Sequence, residues 1–264
     1  MSDRVLVSVE DHVARVRLNR PEKRNGLDLE MFEALAAAAE RVPSEPGVRA
    51  VVLSGEGRAF CAGLDWMAFL GMADRAVPAL LDRRAGEAAN LAQKVSVAWA
   101  MAPVPVIAAV HGAALGGGLQ IALGADLRYV APDAQLSVME VRYGLVPDMG
   151  LSVLLPRLVR ADVARELTFT GRVIDGVEAA RLGLATRVCD DPLAAALETA
   201  RAIAANAPRA VRAAKRLLRD APAHDPAASL ALESELQRAL MGTAEQMEAV
   251  QAAMEKRAGR FDDP

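Results

Sequence analysis

Apolar and polar positions alternate at the start of the chain and then change to helical spacing. Val5–Val9 and Ala14–Leu18 alternate like two paired strands, with residues 10–12 as the turn between them. Asp28 stands where a helix N-cap belongs, ahead of a helix predicted to run to about Arg41. The pattern therefore predicts a hairpin followed by a helix.

Short apolar runs predict further strands, and longer periodic stretches predict helices. The predicted strands are Arg49–Leu53, Val106–Val110, Leu127–Val130, Gln135–Val138 and Ala185–Val188. The predicted helices before Gly150 are a long one from near Pro78 to Met101 and one from the glycines at 116–118 to about Gly124. Those after it are Leu151–Val159, Ala161–Phe169, Asp175–Arg181, Pro192–Ala205, Arg209–Leu218, Ala227–Leu240 and Thr243–Ala258. This order predicts a mixed α/β core over residues 1–190 and a helical C-terminal region over residues 191–264, although the clearest break in composition is Ala221–Pro226.

One apolar stretch, Val104–Ala125, is long enough to be considered as a membrane span, which needs about 20 such residues. Pro103 and Pro105 stand at its start, and Gly116–Gly118 lie in its middle. The pattern favours a buried strand followed by a buried helix, so no membrane is expected as a partner.

Composition narrows the class of protein. The 264 residues are 53% hydrophobic and 25% charged, with a net charge of -3. This balance predicts a folded globular chain and gives no reason to expect nucleic acid. Cys61, Cys189 and the three histidines have no metal-ligand spacing, and the first residues lack the apolar core of a signal peptide. We expect reduced thiols, no metal and a cytoplasmic location.

A glycine turn at His111–Gly118 follows an apolar strand and opens a helix. It lacks the Gly-Lys-Ser/Thr ending of a phosphate loop and the spacing of a dinucleotide site. It is either a tight packing turn or a place where backbone N–H groups approach a ligand closely. Two acids, Glu140 and Asp148, follow it along the chain, and a carboxylate near such N–H groups can move a proton beside a carbonyl.

A second glycine loop, Gly57–Asp65, follows the strand that ends at Leu53. Its Asp65 can cap a helix. Cys61 lacks a partner base in the sequence, which favours a small packed thiol over a nucleophile. His111 is interpreted in the same way, as a packed histidine at a strand end.

Several separated motifs resemble the crotonase family of enoyl-CoA hydratases and isomerases. They are RPEKRNGLD at 20–28, GRAFCAGLD at 57–65, PVIAAVHGAALGGGLQIALGADLRY at 105–129, LVPDMG at 145–150, LPRLVRADVARELTFTGRVIDGVEAARLGLATRV at 155–188 and MEKRAGRF at 254–261. The resemblance covers nearly the whole chain. It implies an α/β fold of spiralling ββα turns with a helical C-terminal trimerisation region, assembled as a homotrimer or a dimer of trimers.

The resemblance also implies an oxyanion hole for a thioester oxygen. The backbone N–H groups of Leu64 and Gly117 occupy its two positions. Such donors stabilise the enolate that forms when a proton is removed next to the thioester, and one of them is typically worth about 10²–10³ in rate. Coenzyme A then enters as part of the substrate, and no cofactor is required.

The acidic positions depart from the hydratase pattern. Enoyl-CoA hydratases use two glutamates to hold a water across a C=C bond, and this chain has Gln120 at the first position and Glu140 at the second. A glutamine orients a water or a carbonyl but transfers no proton at neutral pH. Asp148 matches a third acid of the dienoyl-CoA isomerase branch, which has acids at all three positions, whereas single-glutamate isomerases need only Glu140.

Structural alternatives stay open for these acids. Asp148 could cap the helix predicted from Leu151, and Glu140 could pair with Arg142 or Arg128.

By resemblance, residues in or beside four of these motifs contact the substrate. They are Arg24, Ala62, Asp65, Trp66, Met67, Gly116 and Lys256. Arg24 and Lys256 would hold the CoA phosphates, Lys256 in a neighbouring subunit, unless both are solvated surface charges. Trp66, Met67 and Phe69 would line the acyl pocket, unless they belong to the core.

The sequence favours an acyl-CoA enzyme that shifts a C=C bond of an enoyl- or dienoyl-CoA, with Glu140 and Asp148 moving the proton. One alternative is hydration of a 2-enoyl-CoA to a 3-hydroxyacyl-CoA. Another is a protein that binds acyl-CoA without catalysis.

Overall fold

A computed structural model describes residues 3–69 and 73–263 of the chain. Its strands are β1 (Val5–Glu10), β2 (Val13–Leu18), β3 (Ala50–Gly55), β4 (Val106–Val110), β5 (Ala113–Leu115), β6 (Leu127–Val130), β7 (Gln135–Ser137) and β8 (Arg187–Val188). One sheet has the order β1-β2-β3-β4-β6-β8, with β1 antiparallel to β2 and the other neighbours parallel. The two short strands β5 and β7 pair separately and in parallel.

Helices surround these sheets. They are α1 (Leu29–Arg41), α2 (Trp66–Phe69), α3 (Ala73–Leu81), α4 (Leu91–Met101), α5 (Gly117–Leu123), α6 (Leu151–Leu154), α7 (Ala161–Thr170), α8 (Gly176–Leu182), α9 (Pro192–Ala204), α10 (Pro208–Asp220), α11 (Pro226–Leu240) and α12 (Ala244–Glu255). Short 3-10 turns cover Pro21–Lys23, Val42–Ser44, Glu140–Tyr143, Leu155–Arg157 and Ala221–Ala223.

The central strands β3 and β4 are buried on both faces because they carry apolar side chains on both. One face joins the main core with α1 and α4. The opposite face, with Val52, Ile107 and Tyr129, packs against the small residues Ala196 and Ala200 of α9. The predicted α/β core is therefore present, and the first helix beyond residue 190 covers one face of its sheet.

The predicted helix from Pro78 to Met101 is wrong. The structure has two helices, α3 and α4, with a break at residues 82–90. Asn90 starts α4 through a capping box, accepting from Gln93 N while the Gln93 side chain accepts from Asn90 N. Gly86, at φ +83°, lies in the connection. The apolar spacing continues across the break, and for that reason periodicity alone does not show it.

Two other predictions need correction at the boundaries. The glycine turn at 111–118 contains the short strand β5, which pairs with β7 and bridges Cys61 through Ala114. The helix predicted over Leu151–Val159 ends at Leu154 and continues as a 3-10 turn, where Pro156 cannot donate a helical hydrogen bond.

The apolar stretch Val104–Ala125 folds as β4, β5 and α5 inside the core. Among the described residues, the helices are all too short or too polar to cross a bilayer.

A buried lysine joins the C-terminal helices to the core. Lys215 of α10 donates to Trp99 O, to Val104 O at 2.9 Å and to Asp126 Oδ2 at 2.8 Å. Asp126 Oδ2 also accepts from Val106 N at 2.7 Å, at the start of β4. The three Nζ protons thus all have acceptors, and α10 is held against the sheet by a charged contact.

Candidate active site

A largely apolar cavity of about 500 Å³ opens between α1, the 57–69 segment, α3 and the 139–149 segment. Phe32, Phe69, Leu80 and Leu145 are among the side chains of its walls. Among the described residues of its lining, the carboxylates are Glu140 and Asp148. The cavity therefore offers an apolar space that contains these two acids.

Two backbone N–H groups line this cavity without an acceptor in the described part of the chain. Leu27 N donates to Gly63 O and Asp65 N donates to Leu27 O, so the intervening N–H of Leu64 points away from this ladder. Gly117 is the first residue of α5, and its N–H has no helical partner. Both residues predicted as oxyanion donors are brought to one cavity.

Close backbone contact fixes the spacing of these donors. A Cβ at Gly63, which has φ +86°, would lie 2.6 Å from Leu115 O, so only glycine fits there. A Cβ at Gly118 would lie 2.2 Å from Cys61 O. Packing therefore explains Gly118, whereas Gly117 lines the cavity itself.

Polar side chains that the sequence did not single out hold the Leu64 segment. Asn25 is fully buried, and its Nδ2 donates to Glu56 O at 2.9 Å and to Ala59 O at 2.8 Å. Arg20 forms an ion pair with Asp65 at 2.7 Å. Asn25 lies in the left-handed region at φ +55°, which asparagine tolerates, and the N-G pair at 25–26 is the signal that could have indicated this turn.

Glu140 begins a 3-10 turn and is half-buried on the cavity wall. Its Oε1 accepts from Gln120 Nε2 at 2.6 Å, and its Oε2 is buried with no partner in the described chain. Burial raises the pKa of the Glu140 carboxyl; the hydrogen bonds from its own backbone and from Gln120 oppose this, and nearby Asp148 adds to it. Glu140 forms no ion pair with Arg142 or Arg128, and Arg128 instead donates to Ala125 O and Leu184 O.

Gln120 lies behind this carboxylate and is fully buried. Its Oε1 accepts from Met149 N at 2.9 Å, and its Nε2 donates to Glu140. It is not among the residues that line the cavity.

Asp148 lines the cavity and is exposed to solvent, on the loop before α6. Partial burial raises the pKa of its carboxyl. It does not cap α6, because the N-cap residue is Gly150 and no side chain bonds to the first turn. The capping alternative is therefore wrong.

Cys61 and His111 have packing contacts rather than reactive ones. Burial raises the pKa of the Cys61 thiol to about 12, and its Sγ donates to Asn25 O. His111 Nε2 donates to Gly57 O at 3.0 Å.

The other predicted binding residues divide into two groups. Ala62, Trp66, Phe69 and Gly116 line the cavity. The residues outside its lining are Arg24, Asp65, Met67 and Lys256. The Asp65 carboxylate is turned to Arg20, Met67 is 72% exposed, and Arg24 and Lys256 are exposed at the surface.

The sequence analysis did not predict an aromatic contact at the cavity. The rings of Trp66 and Tyr143 lie 5.1 Å apart with an interplanar angle of 40°. Trp66 follows Leu64 by two residues, and Tyr143 follows Glu140 by three. The contact therefore joins the segment that carries one oxyanion donor to the segment that carries the acid.

Comparison with known proteins matches the model of the family described as enoyl-CoA hydratase/isomerase over residues 8–264. The chain belongs to the enoyl-CoA hydratase/isomerase family. It is 41% identical over 218 residues to a probable enoyl-CoA hydratase of Mycobacterium tuberculosis, covering 82% of each chain. It is 34% identical to the mitochondrial Δ(3,5)-Δ(2,4)-dienoyl-CoA isomerase of Mus musculus, covering 96% of this chain and 79% of the relative.

The fold agrees with this membership. The solved enoyl-CoA hydratase of Bacillus anthracis superposes with a TM-score of 0.88 at 32% identity, covering 98% of this chain and 99% of the other. The predicted crotonase fold is confirmed, and the chain is a crotonase-type enzyme. Its relatives carry both hydratase and isomerase names, so the choice between those reactions depends on the residues of the site.

Proposed function

We propose that this enzyme isomerises enoyl- or dienoyl-CoA thioesters by moving a proton along the acyl chain. The observation that carries the proposal is Glu140, which lines an apolar cavity that also contains two N–H donors. Its buried Oε2 has no hydrogen-bond partner in the described part of the chain. A carboxylate in that position is suited to take the acidic proton next to a thioester carbonyl.

The proposed reaction balances without a co-reactant. The thioester oxygen accepts hydrogen bonds from Leu64 N and Gly117 N, and Glu140 removes a proton from the carbon next to the carbonyl. The electron pair delocalises into the adjacent C=C bond as a dienolate, which the two N–H donors stabilise. Glu140 or Asp148 then returns the proton to the far end of the conjugated system, and the double bond has shifted.

One feature favours isomerisation over hydration. The position of the first hydratase glutamate is Gln120, whose amide already has both its partners and transfers no proton. Hydration of a 2-enoyl-CoA is the second candidate, because the relatives include proteins named as hydratases.

Other features of the family remain part of the proposal. Coenzyme A would enter with the substrate, with Arg24 and the neighbouring subunit's copy of Lys256 near its phosphates and with no further cofactor. A homotrimer or dimer of trimers and a cytoplasmic location stay predictions.

Product analysis tests the reaction. The enzyme is incubated with 3-enoyl-, 3,5-dienoyl- and 2-enoyl-CoA, and the products are separated by liquid chromatography with mass detection. We expect shifted double bonds from the first two substrates and little 3-hydroxyacyl-CoA from the third. Rapid hydration of 2-enoyl-CoA with no isomer formed would overturn the proposal.

Glu140→Gln tests the base. We expect kcat to fall by about 10²–10⁴, while Glu33→Gln, an exposed change on α1, leaves it unaltered. Full activity in Glu140→Gln would exclude Glu140, and acyl-CoA binding without any turnover in the wild type would favour the non-catalytic alternative.

A further inference from the structure

The orientation of the Gln120 amide is determined by its partners. Met149 N–H can only donate, so the atom 2.9 Å from it must be the amide oxygen. The NH₂ group must then point to Glu140, where an ionised carboxylate can only accept. Exchanging oxygen and nitrogen would leave both contacts repulsive, so a single arrangement satisfies this buried amide.

The arrangement makes the two oxygens of Glu140 unequal. Oε1 receives the Gln120 bond at 2.6 Å and lies over the glycine turn, 3.3 Å from where a Cβ of Gly116 would be. Oε2 has no partner in the described part of the chain. An oxygen already engaged by an N–H donor is a poorer proton acceptor, which leaves Oε2 as the base.

The same hydrogen bond offsets the cost of burying a charge. A donor to the ionised form favours that form, whereas the apolar surroundings and nearby Asp148 disfavour it. Met149 also lines the cavity, and its carbonyl accepts from Ser96 Oγ, so the group that orients Gln120 is itself anchored to α4.

We propose that Gln120 is a positioning residue whose hydrogen bond to Glu140 Oε1 fixes the carboxylate and selects Oε2 as the proton acceptor. The inference rests on the proposed proton transfer by Glu140. In this proposal Gln120 does not contact the substrate. It acts on the reaction only by orienting Glu140.

Two variants separate the functions of the amide. Gln120→Met keeps the side-chain volume and removes both hydrogen bonds. Gln120→Glu keeps an acceptor for Met149 N but replaces the NH₂ donor by a second carboxyl group beside Glu140. A matched control is Gln93→Leu, which removes an amide contact at the capping box of α4 without touching Glu140.

The readouts are the pH dependence of kcat for isomerisation and an infrared titration of Glu140, identified by difference from Glu140→Gln. In Gln120→Met we expect kcat to fall by about 10²-fold and the acidic limb to move to higher pH by about one pH unit. In Gln120→Glu the acidic limb of the kcat profile should move still further to higher pH, because two adjacent carboxyl groups share a proton. Gln93→Leu should change thermal stability alone.

The outcomes distinguish this inference from the proposed function. If the wild type does not isomerise any substrate, the proposed function fails, and the titration still reports whether Gln120 lowers the pKa of Glu140. If the variants fold and the wild type isomerises, but the acidic limb and the Glu140 titration stay where they were, the positioning role is overturned.

Discussion

At the scale of single residues, Glu140 shows the conflict between catalysis and stability. Its carboxylate is held in apolar surroundings that raise its pKa, and its Oε2 has no partner among the residues that the structure describes. Because the folded-state pKa is raised, the group contributes most to stability when protonated at low pH, and that contribution is lost as the pH rises through the folded pKa. A reactive carboxylate in this cavity therefore costs the fold stability at neutral pH.

Glu140→Gln should accordingly stabilise the protein while it inactivates it. We expect a gain of about 0.5–2 kcal/mol at neutral pH, measured by thermal unfolding across a pH series. The difference in unfolding free energy between Glu140→Gln and the wild type should be small near pH 4.5, the ordinary pKa of Glu. It should widen as the pH rises above that value. Glu33→Gln is the control, and a gap that does not change with pH would contradict the argument.

At the scale of elements, the site depends on two short segments that join across the cavity. The helix α2 and the 3-10 turn at 140–143 are each a single turn, too short to be stable alone. The contact between Trp66 and Tyr143 links them, and both rings are exposed to solvent. Such an aromatic pair contributes about 0.5–1.5 kcal/mol.

Tyr143→Ala should therefore reduce activity without unfolding the protein. We expect kcat/KM to fall by up to about tenfold, because the distance between the Leu64 donor and Glu140 is less well fixed. Tyr143→Phe keeps the ring and should retain near wild-type activity in the same isomerisation assay. Equal losses in both variants would point to the hydroxyl group instead of the ring contact.

At the scale of the whole molecule, the charged contact between Lys215 and Asp126 connects the C-terminal helices to the sheet. The lysine is the more deeply buried partner, with 5% of its side chain exposed against 32% for the aspartate. Burial lowers the pKa of Lys215, and Asp126 opposes this. The two partners are therefore not equivalent when one of them is removed.

Asp126→Asn should destabilise the protein more than Lys215→Met does. The first leaves a buried ammonium without its counter-charge, at a cost of about 3–5 kcal/mol. The second leaves a partly exposed carboxylate that still accepts from Val106 N. It also leaves Val104 O without its Nζ donor, whereas Trp99 O still accepts from Ala102 N, so the cost is roughly 1–3 kcal/mol. Urea unfolding of both variants measures the order, and a reversed order would show that the carbonyl contacts dominate.

Local sequence patterns were sufficient to predict most helices and strands. The separated motifs were sufficient to indicate the family. The alternation in β1 and β2, the cap at Asp28 and the apolar run of β4 are local signals, and the elements form close to where they were predicted. These elements follow from the sequence because the signal for each one lies within a few consecutive residues. The pairing of Leu64 with Gly117 was implied instead by the resemblance to the crotonase family, since the two residues are distant in the sequence.

Tertiary structure alone decided the relations between distant residues. The break before α4, the Trp66–Tyr143 contact and the hydrogen bonds of Gln120 each depend on groups brought together by folding. Periodicity continues through the break and carries no information about which amide faces which carboxylate. The sequence by itself determined the family, the strands and the residue types of the site. Only the packed structure decided that the Gln120 NH₂ group points to Glu140 Oε1 rather than to Oε2. That orientation depends on the N–H of Met149, which is 29 residues away in the sequence.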